Sequence, residues 1–137
     1  MSIVQTQTTS FKAQLYEGVH NLLTDSIYMA LYNANADLNA DTTVYSSTHE
    51  VTGVGYVAGG VQMTGVTINS SGYTVYVNFA NTEFNASVTA RCALIYNASK
   101  GNKSIAVLDF GSDKTSANFT VTMPQNTATT ALIRSSN

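Results

Sequence analysis

E-V-T-G-V-G-Y-V-A-G-G, running from Glu50 to Gly60, holds four of the nine glycines in the chain: Gly53, Gly55, Gly59 and Gly60. The residues before it read as a polar arm, a helix, one strand and a loop. The residues after it read as short strands and turns. Glycine accepts positive φ and lets another backbone approach closely. Two phosphate-binding patterns fail here. A P-loop needs Lys and Ser/Thr directly after its last glycine, and Val61-Gln62 stand there instead. A dinucleotide fingerprint needs G-x-G-x-x-G between strand and helix; Gly53, Gly55 and Gly59 miss that spacing by one. The stretch therefore predicts a bend pressed against a neighbouring segment and leading into a sheet.

Working outward, 137 residues suit one domain, long enough to bury a core without disulfides. Only 10% of residues are charged, with Thr, Ser and Asn in their place, against about a quarter in ordinary soluble domains. Hydrophobic content is 44%, so this is not the low-hydrophobicity, high-charge profile of disorder. Thr, Val and Tyr favour pleated surfaces, and scarce charge suits a subunit whose surface is largely covered. Net charge is −2 and the basic residues are scattered, which argues against nucleic acid. Lys100, Lys103 and Lys114 are the nearest approach to a patch. A single cysteine, Cys92, excludes an internal disulfide. No apolar run reaches the roughly 20 residues of a membrane helix.

The expected organisation is an extended arm over 1–10 and one β-rich domain over 11–137. The arm is S/T/Q-rich, without a secretory core, and of the kind ordered by a neighbour. Ser10 can cap a helix over Phe11–Leu23, whose stripe is Phe11, Leu15, Val19, Leu22 and Leu23. Ser26–Tyr32 is apolar on both faces, as in an internal strand. Asn33–His49 is a long polar loop, with a turn of helix expected at Ala36–Ala40. Val61–Ile68 and Tyr73–Ala80 form a hairpin around Asn69-Ser70-Ser71-Gly72. Ala90–Tyr96 and Ser104–Phe110 form a central pair. Asn118–Met123 alternates until Pro124, and Thr127–Arg134 is a last strand. The fold class is mainly β: a β-sandwich or jelly-roll-like domain with one N-terminal helix.

Chemistry finds few candidates. His20 and His49 lack metal-ligand spacing. Cys92 lies among Ala90, Ala93 and Leu94, where a thiol is ordinarily a small apolar filler. A nucleophile would need an orienting base beside it. Asp109-Phe110-Gly111 spells a kinase magnesium motif without the lid, lysine or catalytic loop that give it meaning. Asp109 and Asp113 could share a cation, but such pairs commonly cap turns. Asn69, Asn85, Asn97, Asn102 and Asn118 each begin N-x-S/T, as composition alone produces. No catalytic, cofactor-binding or metal residue is assigned.

Several segments together resemble small virion structural proteins of tailed bacteriophages. They are F-K-A-Q-L-Y-E-G-V-H at Phe11–His20, I-Y-M-A-L-Y at Ile27–Tyr32, the glycine stretch, A-L-I-Y-N at Ala93–Asn97 and A-V-L-D-F-G-S-D-K at Ala106–Lys114. The resemblance implies a virion component without enzymatic role or cofactor. With the scarce charge, the expected state is a homo-oligomer, with a trimer favoured, that contacts the major capsid protein or other virion proteins. Capsid cement or decoration comes first. A tail or head-fibre part touching the host comes second, with Tyr45 and Tyr56 as aromatic contacts. A small hydrolase using Cys92 and a histidine is the contrasting class.

Overall fold

The computed structural model describes residues 2–136. In chain order its elements are β1 (Thr6–Gln7), α1 (Thr9–Tyr16), β2 (Ile27–Tyr32), β3 (Val61–Gln62), β4 (Thr67–Ser71), β5 (Thr74–Asn78), β6 (Thr82–Glu83), β7 (Val88–Asn97), β8 (Lys103–Ser116), β9 (Thr120–Val121) and β10 (Ile133–Ser135). A short 3-10 turn, Ala98–Lys100, joins β7 to β8. The strands form three antiparallel sheets: a five-stranded one in the order β1-β8-β7-β2-β3, a three-stranded one in the order β10-β5-β4, and the pair β6-β9. This is the mainly β fold with one N-terminal helix that the strand pattern predicts.

Alternation decides which side of the large sheet each residue faces. Ile27, Met29, Leu31, Ala93 and Ile95 point to one side. They share the main core with Val77 and Ile133 from the three-stranded sheet and with Phe84, Phe119 and Val121 from the β6-β9 layer. That face-to-face packing makes the sandwich. The opposite side carries Ala30, Tyr32, Cys92, Leu94, Tyr96 and Val107. It is covered by Ala36, Leu38 and Tyr45 of the 33–49 loop. β2 and β7 are apolar on both faces because the loop acts as a third layer.

That loop is pinned along its length. Leu38 bonds the arm through Val4 N→Leu38 O (3.0 Å) and Leu38 N→Ser2 O (2.8 Å). Ser104 N bonds Thr43 O (2.8 Å), and the Tyr32 hydroxyl donates to Ser46 O (2.6 Å). No helix forms at Ala36–Ala40. Asn33 and Asn39 instead accept from the backbone of Asn35 and Asp41 (2.9 Å each), which closes Asx turns that compete with helix.

The N-terminal arm is extended as expected, but its own chain holds it. Thr6 and Gln7 pair with Val107 and Ala106 of β8. Thr8, fully buried, caps α1 in place of Ser10: its hydroxyl accepts from Phe11 N (3.3 Å) and from Ser104 Oγ (2.9 Å). The helix is shorter than predicted, 8 residues ending at Tyr16 rather than Leu23. It stops where Gly18 takes φ +73°, with Gly18 N→Leu15 O (3.2 Å) and Val19 N→Gln14 O (3.0 Å) closing a Schellman motif. Of the predicted stripe, Phe11 and Leu22 are buried, whereas Leu15 and Leu23 are exposed.

Three strand expectations are corrected. Val61–Ile68 is two strands: β3 joins β2, whereas β4 joins β5. The hairpin turn lies at Gly72-Tyr73, because Ser71 pairs with Thr74. Thr127–Ala131 is a turn, in which Thr130 Oγ1 donates to Gln125 O (2.8 Å), and the last strand begins only at Ile133. The central pair runs further than predicted, through Ser116. It contains a large irregularity: Ala90 and Cys92, two apart, face Lys114 and Asp109, five apart.

Candidate functional site

The glycine stretch folds into a bend locked by a carboxylate. Glu50 accepts from the Tyr45 hydroxyl (2.6 Å), the Tyr56 hydroxyl (2.5 Å) and Gly59 N (2.8 Å). Tyr56 also receives Leu31 N (3.0 Å), and Tyr96 donates to Gly59 O (2.6 Å). The Tyr45 and Tyr96 rings stack at 4.8 Å. Burial, reinforced by the Glu50 charge, raises the Tyr45 and Tyr56 hydroxyls well above the phenol range and pushes Tyr96 to about 12. These groups stay protonated and donate. An ionised carboxylate is acceptor-only, so three donors in a half-buried setting satisfy it without a cation. Gly53 and Gly55 lie against the 85–87 backbone: a Cβ on Gly53 would meet Ser87 O at 2.2 Å. The network is a clamp with no free acid or base.

A second network joins the turn after α1 to the end of β7. Asn97, fully buried, donates to Asp25 Oδ2 (2.8 Å) and to His20 Nδ1 (2.9 Å), and its Oδ1 accepts from Ser99 N (3.0 Å). Lys100 Nζ sits 2.9 Å from Asp25 Oδ1, and Asn21 N donates to Oδ2 (2.9 Å). Burial alone would raise the Asp25 carboxyl. Asn97, the Asn21 N–H and Lys100 outweigh it and bring it to about 2. The Ser99 bond fixes the Asn97 amide orientation, which makes His20 Nδ1 an acceptor and leaves Nε2–H to bond Gln14 Oε1 (2.7 Å). Burial lowers the His20 pKa further than Asp25 raises it.

The reactive residues singled out from sequence are not brought together. Cys92 is fully buried on the loop-covered face of β7, and burial pushes its thiol to about 11. His20 bonds Asn97, which lies five residues from Cys92 along the strand, about 16 Å at normal strand rise. His49 lies in an exposed turn beyond Tyr32, at φ +64°. A thiolate nucleophile needs a depressed pKa and a base that orients it; burial raises the Cys92 pKa instead, and His20 is bonded to Asn97 and Gln14. Asp109 pairs with Arg91 and accepts from Gly111 N (2.8 Å), the turn-capping alternative to a shared cation with Asp113. Among the described residues, no group of three or more His, Cys, Asp or Glu side chains is placed to hold a metal. Lys100 bonds Asp25 and Lys103 donates to the Lys100 carbonyl, whereas Lys114 lies toward the far end of β8, so the three form no patch.

Large apolar side chains project instead from three turns. Tyr16 (91% exposed) ends α1, Tyr73 (92%) tips the β4–β5 hairpin, and Val54 (85%) and Val57 (72%) project from the glycine bend. Tyr45 and Tyr56, the contact aromatics expected from sequence, are turned inward on Glu50. The exposed aromatics are Tyr16 and Tyr73, which the sequence reading does not single out. Tyr73 sits directly after a hairpin glycine, the one local signal that marks it as a tip residue. No protein-family model, curated protein or solved structure matches this chain.

Proposed function

We propose that this chain is a non-enzymatic bacteriophage virion structural protein, and that it acts as a capsid cement or decoration protein bridging coat subunits. The observation that carries the reading is the set of projecting turns tipped by Tyr16, Tyr73, Val54 and Val57, on a domain with 10% charged residues. Such side chains lie singly on many monomers. Here they stand largely exposed at the end of α1, the hairpin tip and the glycine bend, where a neighbouring subunit can cover them. Burial at such joints contributes roughly 25 cal/mol per Å² before the costs of association. A shell repeats each joint many times, so a modest contact suffices. The segment resemblance to small phage virion proteins supports the same reading, with the major capsid protein as partner and a trimeric assembly. The tail or head-fibre alternative rests on Tyr45 and Tyr56, whose hydroxyls are committed to Glu50.

Antibody labelling of particles tests the proposal. Label over the whole shell is the expected result, and label confined to the tail refutes it. Cys92→Ala separates the hydrolase class: folded mutant protein should enter particles normally and leave infectivity intact. Total loss of function in that folded mutant would return the thiol to contention.

A further inference from the structure

All three sheets place an end strand on one groove of about 1060 Å³. Its borders include Thr6 and Gln7 of β1, Thr120 and Val121 of β9, and Arg134 of β10. β1 ends the five-stranded sheet and β10 ends the three-stranded one. A single long hydrogen bond links these two, Gln7 Nε2 to Arg134 O at 3.4 Å. End strands offer unpaired N–H and C=O groups to an incoming chain. Leu108, Phe110 and Leu132 line the groove half-buried, with Phe110 and Phe119 ring centroids 6.0 Å apart.

Charge selects the occupant. Lys114 and Arg134 line the groove, and no Asp or Glu does, although the chain has eight acidic residues against six basic. Within the described residues the Lys114 side chain makes no hydrogen bond or ion pair, and the Arg134 side chain reaches only the Thr129 carbonyl. Asp109 is held by Arg91, and Asp37 and Asp41 lie in the loop that covers the large sheet.

We propose that this groove receives an extended segment of a different polypeptide, with apolar side chains on its inner face and carboxylates meeting Lys114 and Arg134. Main-chain pairing with a free edge supplies the register, and the half-buried apolar floor takes alternate side chains. The edges are short, so binding is modest and depends strongly on charge. The inference rests on the groove's chemistry and is independent of the virion reading.

The test uses the full chain, isotope-labelled for NMR, and three short synthetic peptides. One alternates valine and glutamate, one alternates valine and lysine, and one is the glutamate peptide N-methylated at alternate backbone nitrogens. The glutamate peptide should shift amides of β1, β9 and β10. Lys114→Glu combined with Arg134→Glu should weaken it about tenfold, with the rest of the spectrum unchanged. If that pair disturbs folding, Lys114→Gln at an exposed position replaces it, with a smaller loss expected. Equal binding of the lysine peptide overturns the charge assignment, and undiminished binding of the N-methylated peptide overturns strand addition. Shifts elsewhere, or none, overturn the site. Self-association by sedimentation that the double substitution abolishes would make the occupant a second copy and overturn the proposal.

Discussion

A Cβ built on Gly60 would sit 1.8 Å from the carbonyl oxygen of Met29. Gly60 also has φ +82°, in the left-handed region. The bend reaches β2 at a distance no other residue type tolerates, and β3 begins at the next residue.

Gly60→Ala therefore combines backbone strain with a backbone clash, and should lose roughly 3 kcal/mol or fail to fold. Gly72→Ala is the control. It carries φ +59° with nothing within 4 Å, so strain alone should cost about 1 kcal/mol. Urea unfolding of the two mutants measures the difference. Equal losses would mean the Met29 contact relaxes freely and the bend does not organise the sheet.

Tyr56→Phe removes a bond to the Glu50 carboxylate and leaves Leu31 N without its partner. The expected cost is roughly 2 to 3 kcal/mol, since a buried donor left unmade costs more than a bond is worth. Tyr73→Phe, at a side chain exposed to solvent, should change the midpoint by almost nothing. A Tyr56→Phe protein with the parent's midpoint would contradict the clamp.

Asp25 makes stability fall in acid. Its folded carboxyl titrates at about 2 against 3.8 for the free side chain. Its contribution is thus fully present above pH 3.8 and lost as the pH drops toward 2. Asp25→Asn should flatten that limb of a stability–pH curve. An unchanged limb would assign the acid loss to other carboxylates.

His20 acts in a higher window with the same sign. The fold favours its neutral form, so the folded pKa lies below 6.5. The contribution is complete above pH 6.5 and declines as the pH falls below it, because the unfolded chain then binds the extra proton. Nitrogen shifts of the ring should report the Nε2–H tautomer that the Asn97 bond requires. A midpoint at or above 6.5, or the Nδ1–H tautomer, would overturn this assignment.

Strand content is the most legible part of the sequence. Ser26–Tyr32 and the pair around Asn97–Lys103 declare themselves by being apolar on both sides, and the structure covers both. The helix reads too long in sequence because Val19 and Leu22 continue a helical spacing past Gly18, where the chain has already turned. Val61–Ile68 reads too long for a similar reason. The apolar content carries through Gly65, at φ +68°, although the two halves join different sheets. The clamp is only half legible: Tyr45, Glu50 and Tyr56 are near neighbours in sequence, but only the packed fold turns both rings onto the one carboxylate and brings Tyr96, from β7, onto Gly59 O. The groove is hidden as well, since edge strands are defined by what does not pair with them.

The 33–49 loop has a consequence for anyone grafting foreign peptide onto this scaffold. By length and polarity it looks like the natural place for an insert. Yet it is the outer skin of the large sheet, held by Leu38, Tyr45 and the Ser104 bonds, so an insert there would strip Cys92, Leu94 and Val107 of their cover. The two-residue Gly72-Tyr73 tip has an exposed side chain and open space around its glycine. Of the two, the smaller turn is the better graft site.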